Sequence, residues 1–163
     1  MSLTYCVTCA APLTKQNDTD YVCANGHPYW NNAKAAAAVV LYRDGKVLFA
    51  VRGREPAKGK YDLPGGFTNF GEDAETAARR ELQEETGLEA GELRAVATES
   101  NNYMEDVSTS DTIFLCTDWT GEPAAADDVE QLVWLPLETM DTPDFAWPYH
   151  RVYKRLRFEI DRL

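Results

Sequence analysis

A chain of 163 residues has room for one ordinary domain with a small appendage, and 44% hydrophobic against 26% charged residues is the balance of a globular fold, which excludes a disordered chain. The formal net charge of -11 excludes a diffuse polyanion binder, because the field of the molecule repels a nucleic-acid backbone. An anionic substrate is repelled as well unless cations mediate, so phosphate chemistry here is expected to be metal-assisted.

Residues 1–32 differ from the rest. They carry three of the four cysteines and one of the two histidines, with too little apolar material for a core of their own. The stretch after Met1 is polar and lacks a basic start followed by an apolar run, so no signal peptide is expected. The longest apolar run, Ala35 to Tyr42, is far below the roughly 20 residues of a membrane span. The expectation is a cytoplasmic protein that does not engage membranes. In that reducing compartment close-spaced cysteines read as metal ligands in preference to disulfides. CVTC leaves two residues between Cys6 and Cys9, and CANGH leaves three between Cys23 and His27. Two such pairs across a loop have the spacing of a structural zinc site, and Gly26 helps the second pair turn. Four protein ligands leave no open position, so this zinc is expected to be structural.

AAAAVVLY follows as an apolar strand, Asp44-Gly45 supplies turn chemistry, and KVLFAVR is a second strand, together a hairpin. Gly53 to Lys60 is a polar loop, and YDLPGG ends a short extended piece in glycines. A helix is predicted over about Asp73 to Thr86, with acidic residues in its first turn and Gly87 at the left-handed cap. At about 100° per residue, Ala74, Ala77, Ala78 and Leu82 share an arc of about 160° with Glu81, Glu84 and Glu85. The opposite face, with Glu75, Thr86, Arg79, Gln83, Thr76 and Arg80, is polar throughout, and Glu75 and Arg79 make a favourable pair there. An ordinary solvated glutamate face is therefore excluded, since the solvated face is the other one. Each like-charge pair at this spacing costs about 0.2–0.5 kcal/mol even when exposed. Arg80 on the flank neutralises only part of the cluster. A hard divalent cation suits several carboxylate oxygens and bridges them to phosphates.

Beyond the helix, LRAVATES, DTIFLCTDW and LVWLPL read as strands and TGEPAAADD as a loop. Cys116 is read as a buried strand residue. A second helix is predicted over Phe145 to Arg162, where Tyr149, Val152, Tyr153, Leu156 and Ile160 recur at helical spacing. Its basic residues interleave with apolar ones, as in a docking helix. The alternation of strands and helices predicts a mixed α/β layer structure behind the small N-terminal module.

The glycine-to-helix stretch also spells a signature. Gly66, five residues, Glu72, seven residues, then Arg80-Glu81-Leu82-Gln83-Glu84-Glu85-Thr86-Gly87-Leu88 matches every fixed position of the Nudix box, and the chain resembles the Nudix hydrolases. The resemblance implies an α/β/α sandwich with a mixed sheet over residues 33–163, behind a zinc ribbon at 1–32. It implies metal-dependent cleavage of the diphosphate linkage in a small nucleoside-diphosphate derivative, of the ADP-ribose, NADH or nucleotide-sugar type. The implied Mg²⁺ or Mn²⁺ ligands are Glu81, Glu84 and Glu85 with the Gly65 carbonyl, and a further ligand from the loop before Trp134. Asp127, Asp128 and Glu130 are the candidates there, and Asp128 is favoured. Glu72 and Arg80 are implied to hold loop and helix in register, with Gly66 and Gly87 as the box glycines. Glu81 or an acidic residue outside the box is the implied general base.

The set Cys6, Cys9, Cys23 and His27 is similar to the zinc ribbon of the NADH pyrophosphatase group, with Cys-His where that group commonly has a second Cys-Cys pair. The group's Ser-Gln-Pro-Trp-Pro-Phe run is absent; ESNNYMEDVS stands at Glu99 to Ser108 instead. For substrate contacts the candidates are Arg52 and Arg54 toward phosphates and Phe67 and Tyr103 toward a base, with Phe70 also flanking the glycine loop. The alternatives are an exposed hairpin end for the arginines and packing for the aromatics. The expected partner is a small nucleotide, with no nucleic acid; relatives with this architecture are often homodimers, but the sequence does not fix the oligomeric state. The alternative function is a non-catalytic Nudix-like ligand sensor, though such relatives usually lose box glutamates and this chain keeps all three.

Overall fold

The computed structural model describes residues 4–105 and 107–162. Three short strands, β1 (Leu13–Lys15), β2 (Asp20–Cys23) and β3 (Pro28–Trp30), form a small antiparallel sheet of their own. The remainder runs β4 (Lys34–Arg43), β5 (Lys46–Arg52), β6 (Tyr61–Asp62), β7 (Gly65–Phe67), α1 (Ala74–Thr86), β8 (Glu89–Ala90), β9 (Arg94–Met104), β10 (Val107–Cys116), β11 (Trp119–Thr120), β12 (Val129–Pro136), a 3₁₀ turn (Leu137–Asp141) and α2 (His150–Ile160).

The Asp44-Gly45 turn forms as expected, with both residues at positive φ, 52° and 79°. The hairpin it starts is short. β4 and β5 pair only at Tyr42↔Val47 and Arg43↔Lys46 and then part. Past that point β4 takes β7 on that side, from Ala36↔Phe67 to Ala38↔Gly65, while β5 takes β6 and β12. On its other edge β4 runs parallel to β10, from Thr109↔Lys34 to Cys116↔Leu41, and β10 pairs antiparallel with β9. The result is a mixed seven-stranded sheet, split between β4 and β5.

β4 reads as a continuous apolar run because both of its faces are covered. Ala37, Val39 and Leu41 pack with Phe114, Cys116 and the α1 residues Ala77, Ala78 and Leu82. Ala38 and Val40 point the other way, toward Ile113, Leu115 and the Tyr149, Val152 and Leu156 of the C-terminal segment. One helix covers each face of the sheet, which is the expected α/β/α sandwich. Cys116 is buried as expected, its thiol donating to the Asp118 carbonyl.

Three local expectations are corrected. The second helix begins at His150, not Phe145, because Pro148 excludes Trp147 from helical backbone. The strand expected over LRAVATES runs on to Met104 as β9, so Tyr103 stands on a strand. Thr86, assigned to the polar face of α1, is fully buried; its hydroxyl donates to the Leu82 carbonyl and accepts from the Leu88 N–H. Among the described residues no helix is long and apolar enough to cross a membrane.

Candidate functional site

α1 is held rigidly at both ends. The Asp73 carboxylate accepts from the Thr76 N–H at 2.7 Å, and Gly87, at φ 71°, returns its N–H to the Gln83 carbonyl. Glu72 and Arg80 tie the preceding loop to the helix in a two-pronged pair, Oε1 to Nε at 2.7 Å and Oε2 to Nη2 at 3.0 Å. Glu72 also accepts from the Asn69 N–H, and these hydrogen bonds, with Arg80 first, pull its carboxyl down to about 2. Arg80 further donates to Glu81 at 2.8 Å, Glu84 at 3.0 Å and the Phe67 carbonyl at 3.0 Å. The outer pair expected between Glu75 and Arg79 is present at 2.8 Å.

The clamp aims α1 at a cavity of about 410 Å³ that opens where β4 and β5 part. Glu81, Glu85, Gly65, Gly66, Asp127 and Asp128 line one end of it. Glu85 is buried, and its Oε2 accepts from the Gly65 N–H at 2.9 Å. Burial pushes its carboxyl up to about 9; the Gly65 N–H opposes the shift, and the charges of Asp128, Asp62 and Glu81 add to it. Burial also raises Glu81. The two glycines are required by close approach. A Cβ on Gly66 lies 2.6 Å from the Glu81 carboxylate, and one on Gly65 lies 2.4 Å from the Ala37 carbonyl oxygen. Glu84 stands apart: it is half-exposed, lies outside the cavity lining and is held by Arg80.

Arg54 and Asp128, expected in different roles, meet each other. The guanidinium donates to Asp128 at 2.5 Å and to Asp127 at 3.3 Å. Gly53 seats that loop by donating to the Asp128 carbonyl at 2.8 Å, and a Cβ there lies 2.7 Å from the same oxygen. Glu130 is exposed and outside the cavity lining. Arg52 is not an exposed hairpin end. Its side chain is mostly buried, donates to Asp62 at 2.9 Å and to the Pro56 carbonyl, and lies over the Trp147 ring. Phe67, Tyr103 and Trp147 form one aromatic wall, with ring centroids 5.3 and 5.4 Å apart. Phe70 is fully exposed and has no part in it.

Sequence reasoning missed Asp62, Trp147, Asn101, Asp111 and Tyr149, all of which line the cavity. Two carry a readable signal: Asn101 and Asp111 stand in wholly polar runs, TESNN and STSDT, inside the strands β9 and β10. Trp147 carries none, because it enters the site from the distant segment before α2.

The four N-terminal ligand candidates are gathered, with their Sγ and imidazole N atoms all within 4.8 Å of one another. Cys9 Sγ is 3.7 Å from Cys23 Sγ and 3.3 Å from His27 Nδ1, and Cys6 Sγ is 3.7 Å from His27 Nδ1. A tetrahedron with Zn–S bonds of about 2.3 Å has edges of about 3.8 Å, so the set fits such an ion. The Cys9 thiol is brought down to about 7 by a hydrogen bond from the Ala11 backbone and a second from Asn25, which favours the thiolate that binds metal. Burial raises Cys23. No disulfide links these cysteines.

Residues 32–156 match the family model of the NUDIX domain. The chain is 30% identical over 120 residues, 71% of it and 77% of the relative, to the oxidized purine nucleoside triphosphate hydrolase of Danio rerio. It is 31% identical over 117 residues, 71% of it and 68% of the relative, to the ADP-ribose pyrophosphatase of Methanocaldococcus jannaschii. A NUDIX hydrolase structure from Nitrosomonas europaea superposes with a TM-score of 0.73 at 19% identity, over 98% of this chain and 91% of that one, a likeness of fold.

Proposed function

The chain belongs to the NUDIX domain family, and we propose that it is a divalent-metal-dependent hydrolase of the diphosphate linkage in a small nucleoside-diphosphate derivative. One observation carries this reading: the buried carboxylate of Glu85 and the partly buried one of Glu81 share a ligand-sized cavity with an aromatic wall. Burial and three neighbouring acids raise the Glu85 carboxyl to about 9, so its anion is disfavoured there until a cation supplies the counter-charge, and all-oxygen donors suit Mg²⁺ or Mn²⁺. Glu81 and Glu85 would hold it with the Gly65 carbonyl and Asp128, and Glu84 would join them from the rim on releasing Arg80. When bound, the cation neutralises phosphate charge and acidifies a water.

The chain's own groups do the rest. Glu81, raised above the usual carboxylate range, is the acceptor for the proton of the attacking water. Arg54 is charged and sits at the acid cluster, so a diphosphate can draw it off Asp127 and Asp128. Phe67, Tyr103 and Trp147 hold the organic part of the substrate and keep water from that side. Residues 1–32 form a separate zinc-holding module around Cys6, Cys9, Cys23 and His27, and residues 33–163 the hydrolase domain.

The test is a product assay across ADP-ribose, NADH, NAD⁺, dinucleoside polyphosphates, nucleotide sugars and nucleoside triphosphates, with Mg²⁺, Mn²⁺ or EDTA. Glu85→Gln is expected to lower metal-dependent turnover by at least about 100-fold, the upper end of the loss on removing an outer-shell partner at a metal site, while the protein stays folded. Near-normal turnover in that variant overturns Glu85 as a ligand.

A further inference from the structure

The end of the cavity away from the glutamates is built from polar groups on adjacent strands. Asn101 and Thr109 are cross-strand partners, as are Glu99 and Asp111, so all four stand on the face of the sheet that α2 covers. Asp111 is buried. Its Oδ2 accepts from Asn101 Nδ2 at 2.5 Å and from the Tyr149 hydroxyl at 2.9 Å, and Oδ1 keeps its acceptor capacity. Both of these donors are neutral. Glu99 has Arg151 as its counter-ion at 2.5 Å and Asp62 has Arg52, whereas among the described residues no cation pairs with Asp111.

Asn101 is 5% exposed, and its Oδ1 has no hydrogen-bond partner. The orientation of this amide is determined, because swapping it would press Oδ1 against the Asp111 carboxylate. A buried acceptor without a donor is costly unless a ligand supplies one. The recess also has room. Ala36 and Ala38 from β4 line it, and the aromatic wall bounds its mouth. What lines the recess is therefore a carboxylate with an acceptor to spare and an amide oxygen without a donor, on two hydrogen-bonded side chains, beside aromatic rings.

We propose that this recess selects the nucleobase and that it takes a guanine-type edge, in which a ring N–H and an exocyclic amino group are adjacent donors, with Asp111 and Asn101 as the specificity-determining acceptors. An adenine-type edge places a ring acceptor beside its amino group, opposite an acceptor in the protein. Hypoxanthine keeps the ring N–H and loses the amino group. Cytosine presents a ring acceptor beside its amino group, and uracil flanks its ring N–H with carbonyl acceptors. A site of acceptors discriminates steeply in such cases, because the wrong base leaves a buried group unpaired. The inference rests on the reading of this cavity as a nucleotide site.

Calorimetric titration of the full chain with GMP, IMP and AMP, which contain no diphosphate to cleave, is the experiment. GMP is expected to bind at least about tenfold more tightly than AMP, with IMP between them, from a bidentate contact of ordinary strength. Asp111→Asn should bring the GMP to AMP ratio toward unity, since an amide can offer only one acceptor. Equal or tighter binding of AMP, binding of none of the three, or an unchanged ratio in folded Asp111→Asn overturns the proposal. The wild-type ratios decide it even if the variant does not fold. Hydrolysis without base preference would sink this inference and leave the catalytic reading standing; base preference without metal-dependent turnover does the reverse.

Discussion

Gly65 and Gly66 are adjacent, and their replacement separates stability from chemistry. A Cβ at position 66 meets the end of the Glu81 side chain, which can swing away at little cost to the fold, so Gly66→Ala is expected to melt within a few degrees of wild type but lose most of its turnover. A Cβ at position 65 meets the Ala37 carbonyl and the Ala38 backbone, which cannot move aside. Gly65→Ala is expected to cost about 1–3 kcal/mol in a urea titration, as overpacking does. Equal melting temperatures for the two variants would contradict this division. At the same scale, Glu72 accepts two hydrogen bonds from Arg80 and its folded pKa lies at about 2, below the ordinary 4.5. A depressed carboxylate contributes stability above the unfolded pKa and loses it as pH falls through the folded one. Glu72→Gln should therefore flatten the loss of stability between about pH 4.5 and 2, read by thermal melts across that range.

At the scale of elements, α2 is bound to the sheet by Val152 and Leu156, both fully buried, and it also carries the buried Tyr149 at its start. Leu156→Ala is expected to destabilise by about 2–5 kcal/mol, the usual range for such a truncation. The N-terminal three-stranded sheet is bonded within itself, and three of its four ligand candidates are thiols. If one zinc organises it, elemental analysis finds one zinc per chain, and a strong zinc chelator exposes residues 5–30 to proteolysis while residues 34–160 stay resistant. A chelated protein uniformly resistant along its length rules out a zinc-dependent module. The expected β4–β5 hairpin shows what pattern alone misses. Its turn chemistry is right, yet β7 and β6 take the facing edges of β4 and β5 beyond the first two pairs, while β12 lies along the other edge of β5.

At the scale of the molecule, the net charge of -11 is focused by the cavity, where Glu81, Glu85, Asp62, Asp111, Asp127 and Asp128 face two arginines. Glu85 carries the consequence. Its folded pKa is raised from 4.5 to about 9, so its contribution to stability is complete below about pH 4.5 and is lost as pH rises through 9. The metal-free protein should lose stability over that window. A divalent cation competes with the proton, so the rise in melting temperature on adding Mg²⁺ should grow from pH 6 to pH 9. Melts in EDTA and in Mg²⁺ at three pH values measure this directly; a gain that does not change with pH would count against Glu85 as the group the cation neutralises.

Much of this protein is legible in the order of its residues. The helix over 74–86, its Asp73 and Gly87 caps, the alanine and leucine face beside the glutamates, the Glu72 and Arg80 clamp and the two pairs of zinc-type ligands are all written at short spacing, where the geometry of one helix or one knuckle decides which side chains meet. The tertiary structure alone decided that Glu84 stays outside the cavity, that Arg54 lies on Asp128 and Arg52 over Trp147, and that Asn101, Asp111 and Tyr149 close the far end. Those contacts join residues up to 95 positions apart, Arg52 to Trp147 among them. They depend on where β4 and β5 part and on where Pro148 halts the approach to α2. Local periodicity carries no information about either, because both are settled by competition among distant segments for the same strand edges and the same core.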